Sequence, residues 1–344
     1  MTEVLRVDPT HPDPALIGRA AECLRCGGLV AFPTETVYGL GAHALDRQAV
    51  HRVFVAKERP ANDPLIVHVA AFADVAPLVA AVPDAARQLA GRFWPGPLTI
   101  VLKRSDQVPD EVTAGLQTVA IRVPSHPVAR ALIEAAQVPV AAPSANLFSR
   151  PSPTIAWHVL ADLEGRIDML IDAGPTHVGL ESTVLDLSAD VPTVLRPGAI
   201  DIATLRELLP NVRMHRSGAV THAAMPSPGM LVKHYAPRTP VILHAGDRAA
   251  ALRAMKHDAE QRLERDETVA VLAYVEDLQE WRTLPVRVVD FGREADPRGV
   301  AARLYAALRE CDELNASVIL VRSITTVHPL SSAIHDRLRR AAAR

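Results

Sequence analysis

Cations and hydroxyl groups cluster at the ends of short apolar runs in the first two-thirds of the chain. The run at 29–32 leads into Pro-Thr-Glu-Thr, and the run at 65–70 is preceded by Lys-Glu-Arg-Pro. Basic side chains, hydroxyls and the amides of small-residue loops are the groups that bind a polyanion. The polar residues at these positions are Thr34, Thr36, Tyr38, Lys57, Arg59, His68, Thr118, Arg122, Ser144, Asn146, Ser152, Ser182, Thr183 and Arg196.

This set is poor in carboxylates, and that imbalance limits the types of reaction that these residues can catalyse. A hydrolase with paired acids needs two carboxylates, and no convincing pair stands out. Ser144 lies in Pro-Ser-Ala-Asn, so the Gly-x-Ser-x-Gly elbow of a serine hydrolase is missing. The residue types favour catalysis by charge neutralisation and positioning, as in phosphoryl or nucleotidyl transfer.

Each of these residues also has a structural interpretation when it is taken alone. A single arginine is more often a surface ion-pair partner than a ligand contact. His68 within LIVHVA is typical of a hydrogen-bonded core histidine, and Tyr38 is compatible with the core. Only the joint spacing of the motifs favours the functional interpretation.

Composition indicates an ordinary globular protein with two domains. The chain has 344 residues, of which 49% are hydrophobic and 22% charged, and its formal net charge is −2. Any nucleic-acid contact would therefore have to be local. The absence of a bilayer-length apolar run, and three cysteines without a disulfide framework, predict a cytoplasmic protein with no membrane contact. Cys23 and Cys26 are interpreted as thiols on one helical turn.

The order of predicted elements divides the chain into three parts. Strands and helices alternate irregularly over 1–210, which predicts a mixed twisted α/β sheet with packed helices and a Gly-x-Gly turn at 39–41. The segment 211–239 lacks periodicity, carries Lys233, and is predicted to be a linker. From 240 to 344 the alternation is regular and predicts a small parallel α/β domain, without a glycine-rich phosphate loop.

Several motifs occur together in one order along nearly the whole chain. PTETVYGLG, KERP, LIVHV, APSAN, GLESTVLD and LRPG closely resemble the YrdC-like domain. SPGMLVKHYAP resembles the interdomain linker of two-domain threonylcarbamoyl-AMP synthases, and the part from 240 resembles their Rossmann-like C-terminal domain. The resemblance therefore implies a YrdC-like domain joined by a long linker to a Rossmann-like domain.

The resemblance also implies an activity. It implies a nucleotidyltransferase that condenses L-threonine, bicarbonate and ATP to L-threonylcarbamoyl-AMP and releases pyrophosphate, with Mg²⁺ entering on ATP. A separate transfer complex would then modify adenosine 37 of tRNA. Direct contact of this chain with tRNA is possible under this interpretation but is not required.

Matching the motifs residue by residue assigns roles within the site. Lys57 and Arg59 form the catalytic pair, and no metal ligand from the protein is assigned. Threonine would be held by Thr36, His68, Arg122, Ala142 (through its backbone) and Ser182. ATP would be held by Arg59, Asp63, Thr118, Ser144, Asn146, Ser152, Arg196 and Tyr235, the last as part of a lid formed by the linker. Relatives commonly have an amide where Asp63 stands, so a ribose hydroxyl or magnesium is the alternative to a direct phosphate contact for this acid.

The sequence leaves two alternatives to this enzyme. The first is a non-catalytic RNA-binding or regulatory module, suggested by Arg337, Arg339, Arg340 and Arg344 near the C-terminus. A solvated helix end whose cations suit the helix dipole explains that cluster better. The second is a carbamoyltransferase of hydrogenase maturation, which would need acylphosphatase and zinc-finger segments that the sequence does not show.

Overall fold

The computed structural model describes residues 1–215, 225, 227 and 234–343. They form two compact units, Met1–Phe148 with Ser152–Met230, and Ser149–Pro151 with Leu231–Arg344. The division falls inside the predicted linker, much of which, including Lys233, lies outside the described residues. The predicted domain bounds at 210 and 239 stay predictions. No helix in the described part of the chain is long and apolar enough to cross a membrane.

The first unit is built on one sheet. Its strands are β1 (Glu3–Arg6), β2 (Val30–Pro33), β3 (Tyr38–His43), β4 (Ile66–His68), β5 (Leu98–Lys103), β6 (Thr118–Arg122), β7 (Val140–Ala141), β8 (Met169–Asp172), β9 (Thr183–Asp186), β10 (Thr193–Arg196) and β11 (Arg213–Met214). Its helices are α1 (Pro14–Arg25), α2 (Arg47–Lys57), α3 (Asp84–Phe93), α4 (Asp110–Thr113), α5 (Pro127–Ala136), α6 (Ala156–Leu163) and α7 (Ile202–Arg206), with a 3₁₀ helix at Phe72–Leu78.

Parallel and antiparallel pairs are mixed in this sheet. The strand order is β1-β8-β2-β3-β7-β4-β6-β5-β9-β10-β11. Pairs such as β4–β6 and β5–β9 are parallel, whereas β2–β3 and β5–β6 are antiparallel. Along β2, Val30 and Phe32 belong to the core that includes residues of α1 and α5, whereas Leu29 and Ala31 belong to the core on the other face. The mixed sheet with packed helices confirms the predicted fold class.

The prediction of a Gly-x-Gly turn at 39–41 is wrong. Both glycines lie within β3, which pairs antiparallel with β2. A Cβ atom at Gly41 would lie 2.8 Å from the ring of Phe32 and 2.9 Å from Val140. Glycine is therefore required here by side chains that lie against the strand, and not by a turn.

The second unit is a parallel α/β domain, as predicted. Its four-stranded sheet has the order β12-β15-β13-β14, and all three strand pairs are parallel. Met255, Val271, Trp281 and Leu320 belong to its core. The elements are β12 (Val241–His244), α8 (Arg248–Leu263), β13 (Val269–Ala273), a 3₁₀ helix (Val275–Trp281), β14 (Arg287–Asp290), α9 (Pro297–Glu313), β15 (Val318–Arg322) and α10 (Ser331–Ala341).

The prediction that the arginines of α10 form a solvated helix end is wrong for two of them. Arg337 is 0% and Arg340 6% exposed. Asp336, on the same helix, forms ion pairs with Arg337 at 2.8 Å, Arg339 at 3.3 Å and Arg340 at 3.0 Å. This carboxylate neutralises part of the basic cluster on which the RNA-binding alternative depends. Arg344 lies outside the described residues.

Candidate active site

Neighbouring strands of the first unit bring three of the predicted threonine-binding residues together. His68 at the end of β4 pairs in register with Arg122 at the end of β6. On the adjacent β5, the Thr99 hydroxyl lies 2.7 Å from the Ser182 hydroxyl. Thr118 begins β6, on the same face as Arg122 and about 13 Å along the strand. His68 and Arg122, predicted to hold threonine, and Thr118, predicted to hold ATP, therefore lie on one face of the sheet.

Lys57 connects two motifs that lie far apart in the sequence, KERP and APSAN. Helix α2 begins at the Asp46 cap, whose side chain accepts hydrogen bonds from two backbone N–H groups, and ends at Lys57. The ammonium group of Lys57 donates to the carbonyl oxygens of Ser144 and Asn146, each at 2.5 Å. Two of its three N–H groups are used in this way.

The environment of Lys57 makes its charged form less stable than it is in water. Burial, together with the positive charge of Arg59, holds the pKa of Lys57 well below its usual value of 10.5. A lowered lysine pKa is typical of functional sites. Here protonation decides whether the amine offers a ligand a third N–H donor or a lone pair.

Arg59 and Asp63 form a buried ion pair. Arg59 Nη2 lies 2.9 Å from Asp63 Oδ2, and its guanidinium also donates to the backbone oxygens of Asp63 and Pro64. Burial raises the pKa of Asp63, and the charges of Arg59, Arg196 and Lys57 oppose that rise. Asp63 thus lies among the three cations, as a counter-ion that holds Arg59 in place. Its predicted contact with the nucleotide stays a prediction.

Sequence reasoning missed Glu35, which is a partner of Arg122. Glu35 Oε1 lies 2.6 Å from Arg122 Nη2 in a buried ion pair. Arg122 also donates to Thr36 Oγ1 at 3.0 Å and to the Gly96 carbonyl at 3.2 Å. Glu35 lies between two predicted hydroxyl residues in the PTET motif. A buried arginine requires a counter-ion, so an acidic residue within the PTET motif was the signal that could have identified Glu35.

The third cation, Arg196, is held against the start of β9. Its guanidinium donates to the backbone oxygen of Ser182 at 3.1 Å and to its hydroxyl at 3.2 Å. Ser152 donates to Glu181 Oε1 at 2.6 Å. Thr99 and Glu181 were both missed by sequence reasoning, because Thr99 is a single polar residue within β5 and Glu181 is a single acid shortly before β9. Ala142, predicted to act through its backbone, donates its N–H to the Ile66 carbonyl at 2.9 Å.

Tyr235 belongs to the second unit. Its ring lies 5.5 Å from that of Tyr305, and the Arg337 guanidinium lies 5.1 Å from the Tyr235 ring centroid. In the first unit, the N–H of Met225 donates to the Asn62 carbonyl at 3.1 Å, and Ser227 is buried. Part of the predicted lid segment thus contacts the loop that follows Arg59. The lid itself stays a prediction, since most of that segment lies outside the described residues.

His68 is buried in its neutral form. Burial, assisted by the positive charge of Arg122, lowers the pKa of His68 to about 3. Its ring lies edge-on to that of Phe32, with 6.5 Å between the centroids. His68 therefore acts as a neutral hydrogen-bonding group over the working pH range, and not as a cation.

The lowered pKa predicts a stability effect for His68→Leu. Between about pH 3 and 6.5 the unfolded state binds more protons at this position, so the wild-type protein loses stability as the pH falls. Removing the imidazole should remove up to about 1.4 kcal/mol of that loss per pH unit. Urea unfolding at pH 4, 5, 6 and 7 measures the slope. The exposed His257→Leu serves as the matched control, and equal slopes in both variants would contradict the prediction.

Comparison with known proteins identifies the family to which this chain belongs. Residues 22–198 match the Sua5_yciO_yrdC model, described as telomere recombination, and residues 200–343 match the threonylcarbamoyl-AMP synthase C-terminal domain. A curated threonylcarbamoyl-AMP synthase of Pyrococcus abyssi is 42% identical over 328 residues, which cover 94% of this chain and 93% of the relative. The chain belongs to the threonylcarbamoyl-AMP synthase family. The family member of Bacillus subtilis is 41% identical and covers 95% of the chain and 92% of its own length.

A solved structure of the same family has the same two-domain fold. Pyrococcus abyssi Sua5 complexed with L-threonine is similar to this chain with a TM-score of 0.91 and 40% identity, covering 99% of this chain and 98% of the other. The structure of its H234A/Y235A variant is similar to this chain with a TM-score of 0.91 and 39% identity, and the match covers 99% of this chain and 96% of the variant's chain. These likenesses confirm the family predicted from the motifs. They leave the roles of individual residues as predictions.

Proposed function

We propose that this protein synthesises L-threonylcarbamoyl-AMP from L-threonine, bicarbonate and ATP, with release of pyrophosphate. The observation that carries the proposal is 42% identity to a threonylcarbamoyl-AMP synthase across 94% of the chain. The Pyrococcus abyssi relative solved with L-threonine supports the choice of amino acid. The RNA-binding alternative loses support, because two of its arginines are buried beside Asp336.

The buried cations fit the main difficulty of this reaction. Carboxylation of the threonine amine gives a carbamate, and a carbamate oxygen must attack the α-phosphorus of ATP. Two anions are thereby forced together while the leaving pyrophosphate gains charge. Lys57, Arg59 and Arg196, which all act electrostatically on Asp63, would offset that repulsion. Because these groups are already fixed by protein contacts, little reorganisation is needed during the reaction.

The threonine end of the site would lie at the ends of β4 and β6. Thr36, His68 and Ser182 supply hydroxyl and imidazole groups, and Arg122 supplies a cation for the carboxylate. Hydrogen bonds to the substrate hydroxyl would discriminate against valine, since the polar groups of the site would then be left unpaired. Ala142 would contribute through its backbone.

The nucleotide end would include Arg59, Asp63 and Arg196, together with residues of the Ser144 loop. Lys57 fixes this loop through the Ser144 and Asn146 carbonyls. Thr118, Ser152 and Tyr235 complete the proposed set. Among the described residues, no group of three or more His, Cys, Asp and Glu side chains could hold a metal ion. Asp63 is paired with Arg59, so we propose that Mg²⁺ is held by the ATP phosphates, where it would neutralise their charge.

The linker is proposed as a lid that excludes water from the labile carbamate. Support comes from the hydrogen bond of Met225 to Asn62 and from the burial of Ser227. Tyr235→Ala should lower the rate of pyrophosphate release with little change in threonine binding. Unchanged turnover in this variant would count against the lid.

The proposed product would be used in tRNA modification. A separate complex would transfer the threonylcarbamoyl group to adenosine 37 of tRNA, so this protein need not bind tRNA itself. The cysteines Cys23, Cys26 and Cys311 are free thiols, which supports the proposed cytoplasmic location.

The proposed function is tested by pyrophosphate release from the purified full-length chain. Release should require threonine, bicarbonate, Mg²⁺ and ATP together, and the product should be an AMP-linked threonine adduct identified by mass spectrometry. No RNA should be needed. An absolute requirement for RNA, or release that does not depend on threonine, would overturn the proposal.

A further inference from the structure

Three buried polar atoms near the end of β6 lack an aligned hydrogen-bond partner among the described residues. They are Glu35 Oε1, Arg122 Nη2 and His68 Nδ1. Their side chains are 7%, 3% and 3% exposed. Glu35 Oε1 and Arg122 Nη2 are 2.6 Å apart, and His68 is paired with Arg122 across β4 and β6. Glu35 Oε1 and Arg122 Nη2 are therefore each other's ion-pair partner, but a carboxylate oxygen has a second lone pair and Nη2 has a second N–H, so this buried pair keeps hydrogen-bonding capacity for a polar ligand.

The remaining polar atoms of Glu35 and Arg122 are already fixed by the protein. Glu35 Oε2 accepts a hydrogen bond from the Ser125 N–H at 3.1 Å. Arg122 uses Nε for the Gly96 carbonyl and Nη1 for Thr36 Oγ1. Each side chain is thus held in place by these other contacts, while Oε1 and Nη2 contact each other without an aligned hydrogen bond. This is the arrangement of a pre-organised binding site.

The three atoms complement the functional groups of threonine. Arg122 Nη2 is a donor for a carboxylate, Glu35 Oε1 is an acceptor for an ammonium group, and His68 Nδ1 can bond to a hydroxyl. The Glu35–Arg122 pair has no net charge. A simple anion would gain the attraction of Arg122 and meet repulsion from Glu35, whereas a zwitterion is attracted by both.

We infer that Glu35 binds the α-ammonium group of the substrate and makes the site selective for an amino acid over the corresponding ammonium-free acid. The inference rests on the proposed function, because it takes threonine as the ligand of Arg122. It adds to that function a residue that determines specificity. The Asp63–Arg59 pair does not offer this chemistry, since Asp63 lies among three cations.

Binding of two ligands to the full-length chain tests the inference without turnover. L-Threonine is compared with (2S,3R)-2,3-dihydroxybutanoate, in which a hydroxyl replaces the ammonium group, by isothermal titration calorimetry. Wild-type protein should prefer threonine by at least about 100-fold, and Glu35→Gln should reduce that preference to below about 5-fold. Glu134→Gln, an exposed carboxylate paired with Arg130, is the matched control and should keep the wild-type preference.

A kinetic measurement and a second variant separate recognition from a structural role. In Glu35→Gln, the KM for threonine should rise about 10-fold to 100-fold while kcat at saturating threonine stays within about 3-fold. Glu35→Asp keeps the charge and should retain part of the preference for the ammonium group. If Glu35→Gln does not fold, the Asp variant carries the test, and its preference for threonine should fall below the wild-type value while staying above about 5-fold; an unchanged preference would overturn the inference.

The outcomes distinguish this inference from the proposed function. Equal losses of affinity for both ligands in Glu35→Gln, or an unchanged preference, would overturn the role of Glu35 even if the wild-type enzyme turns over. Wild-type protein that binds threonine selectively but releases no pyrophosphate would overturn the proposed function, and loss of that selectivity in Glu35→Gln would still support the role of Glu35.

Discussion

Lys57→Met should lower kcat/KM for pyrophosphate release by about 10²-fold to 10³-fold, which is the effect of removing one fixed donor from a developing negative charge. Methionine preserves much of the side-chain volume but offers no N–H to a phosphate oxygen. Steady-state pyrophosphate release measures the effect. Lys256→Met, which removes an exposed ion pair with Glu280 in the second unit, is the matched control and should keep full activity.

The pH dependence of the wild-type enzyme provides a second readout of Lys57. Its pKa is lowered by burial, so activity that needs the ammonium form should be lost as the pH rises through a value well below 10.5. Lys57→Arg keeps the charge at all working pH values, so its residual activity should lack this alkaline loss. The same alkaline loss in the arginine variant would show that another group is responsible.

Arg59→Met should destabilise the protein by about 3–5 kcal/mol and abolish most of its activity. The variant leaves Asp63 as a buried carboxylate without its closest cation, and such a loss is far more costly than that of a surface ion pair. The matched control is Arg130→Met, whose ion pair with Glu134 is exposed and should contribute less than about 1 kcal/mol. Urea unfolding compares the two.

The double variant Arg59→Met/Asp63→Asn separates stability from catalysis. Asparagine removes the uncompensated charge, so most of the lost stability should return. Pyrophosphate release should stay low, because the cation near the phosphates is still missing. A double variant no more stable than Arg59→Met alone would show that the charge of Asp63 is not the cause of the destabilisation.

Much of this architecture could be predicted from the sequence. Regular alternation after residue 240 predicted the parallel domain, and the irregular order before it predicted the mixed sheet. The resemblance to the family also placed Lys57 and the Ser144 loop in one site, and the structure shows a contact between them. The alternation of strands and helices depends on local patterns, which a single sequence displays directly.

Other features depend on what a residue meets in three dimensions. Gly39 and Gly41 are typical of a turn, yet Gly41 lies in a strand because Phe32 and Val140 pack against it. Arg337 and Arg340 have the pattern of an exposed helix end, but they are buried with Asp336. Glu35 was missed because nothing in its local sequence identifies a partner that is distant along the chain. Burial and pairing of charges are decided by tertiary contacts.

The contacts that form the site connect residues far apart along the chain. Lys57 and Asn146 are 89 positions apart, Arg122 and Thr36 are 86 apart, and Thr99 and Ser182 are 83 apart. Contacts of such high sequence separation form late, since loop closure must come before they stabilise anything. A nascent chain should therefore have no activity until β10 has left the ribosome. Amides around Arg122 should exchange with solvent only on global unfolding of the sheet, so loss of activity and loss of the fold should coincide.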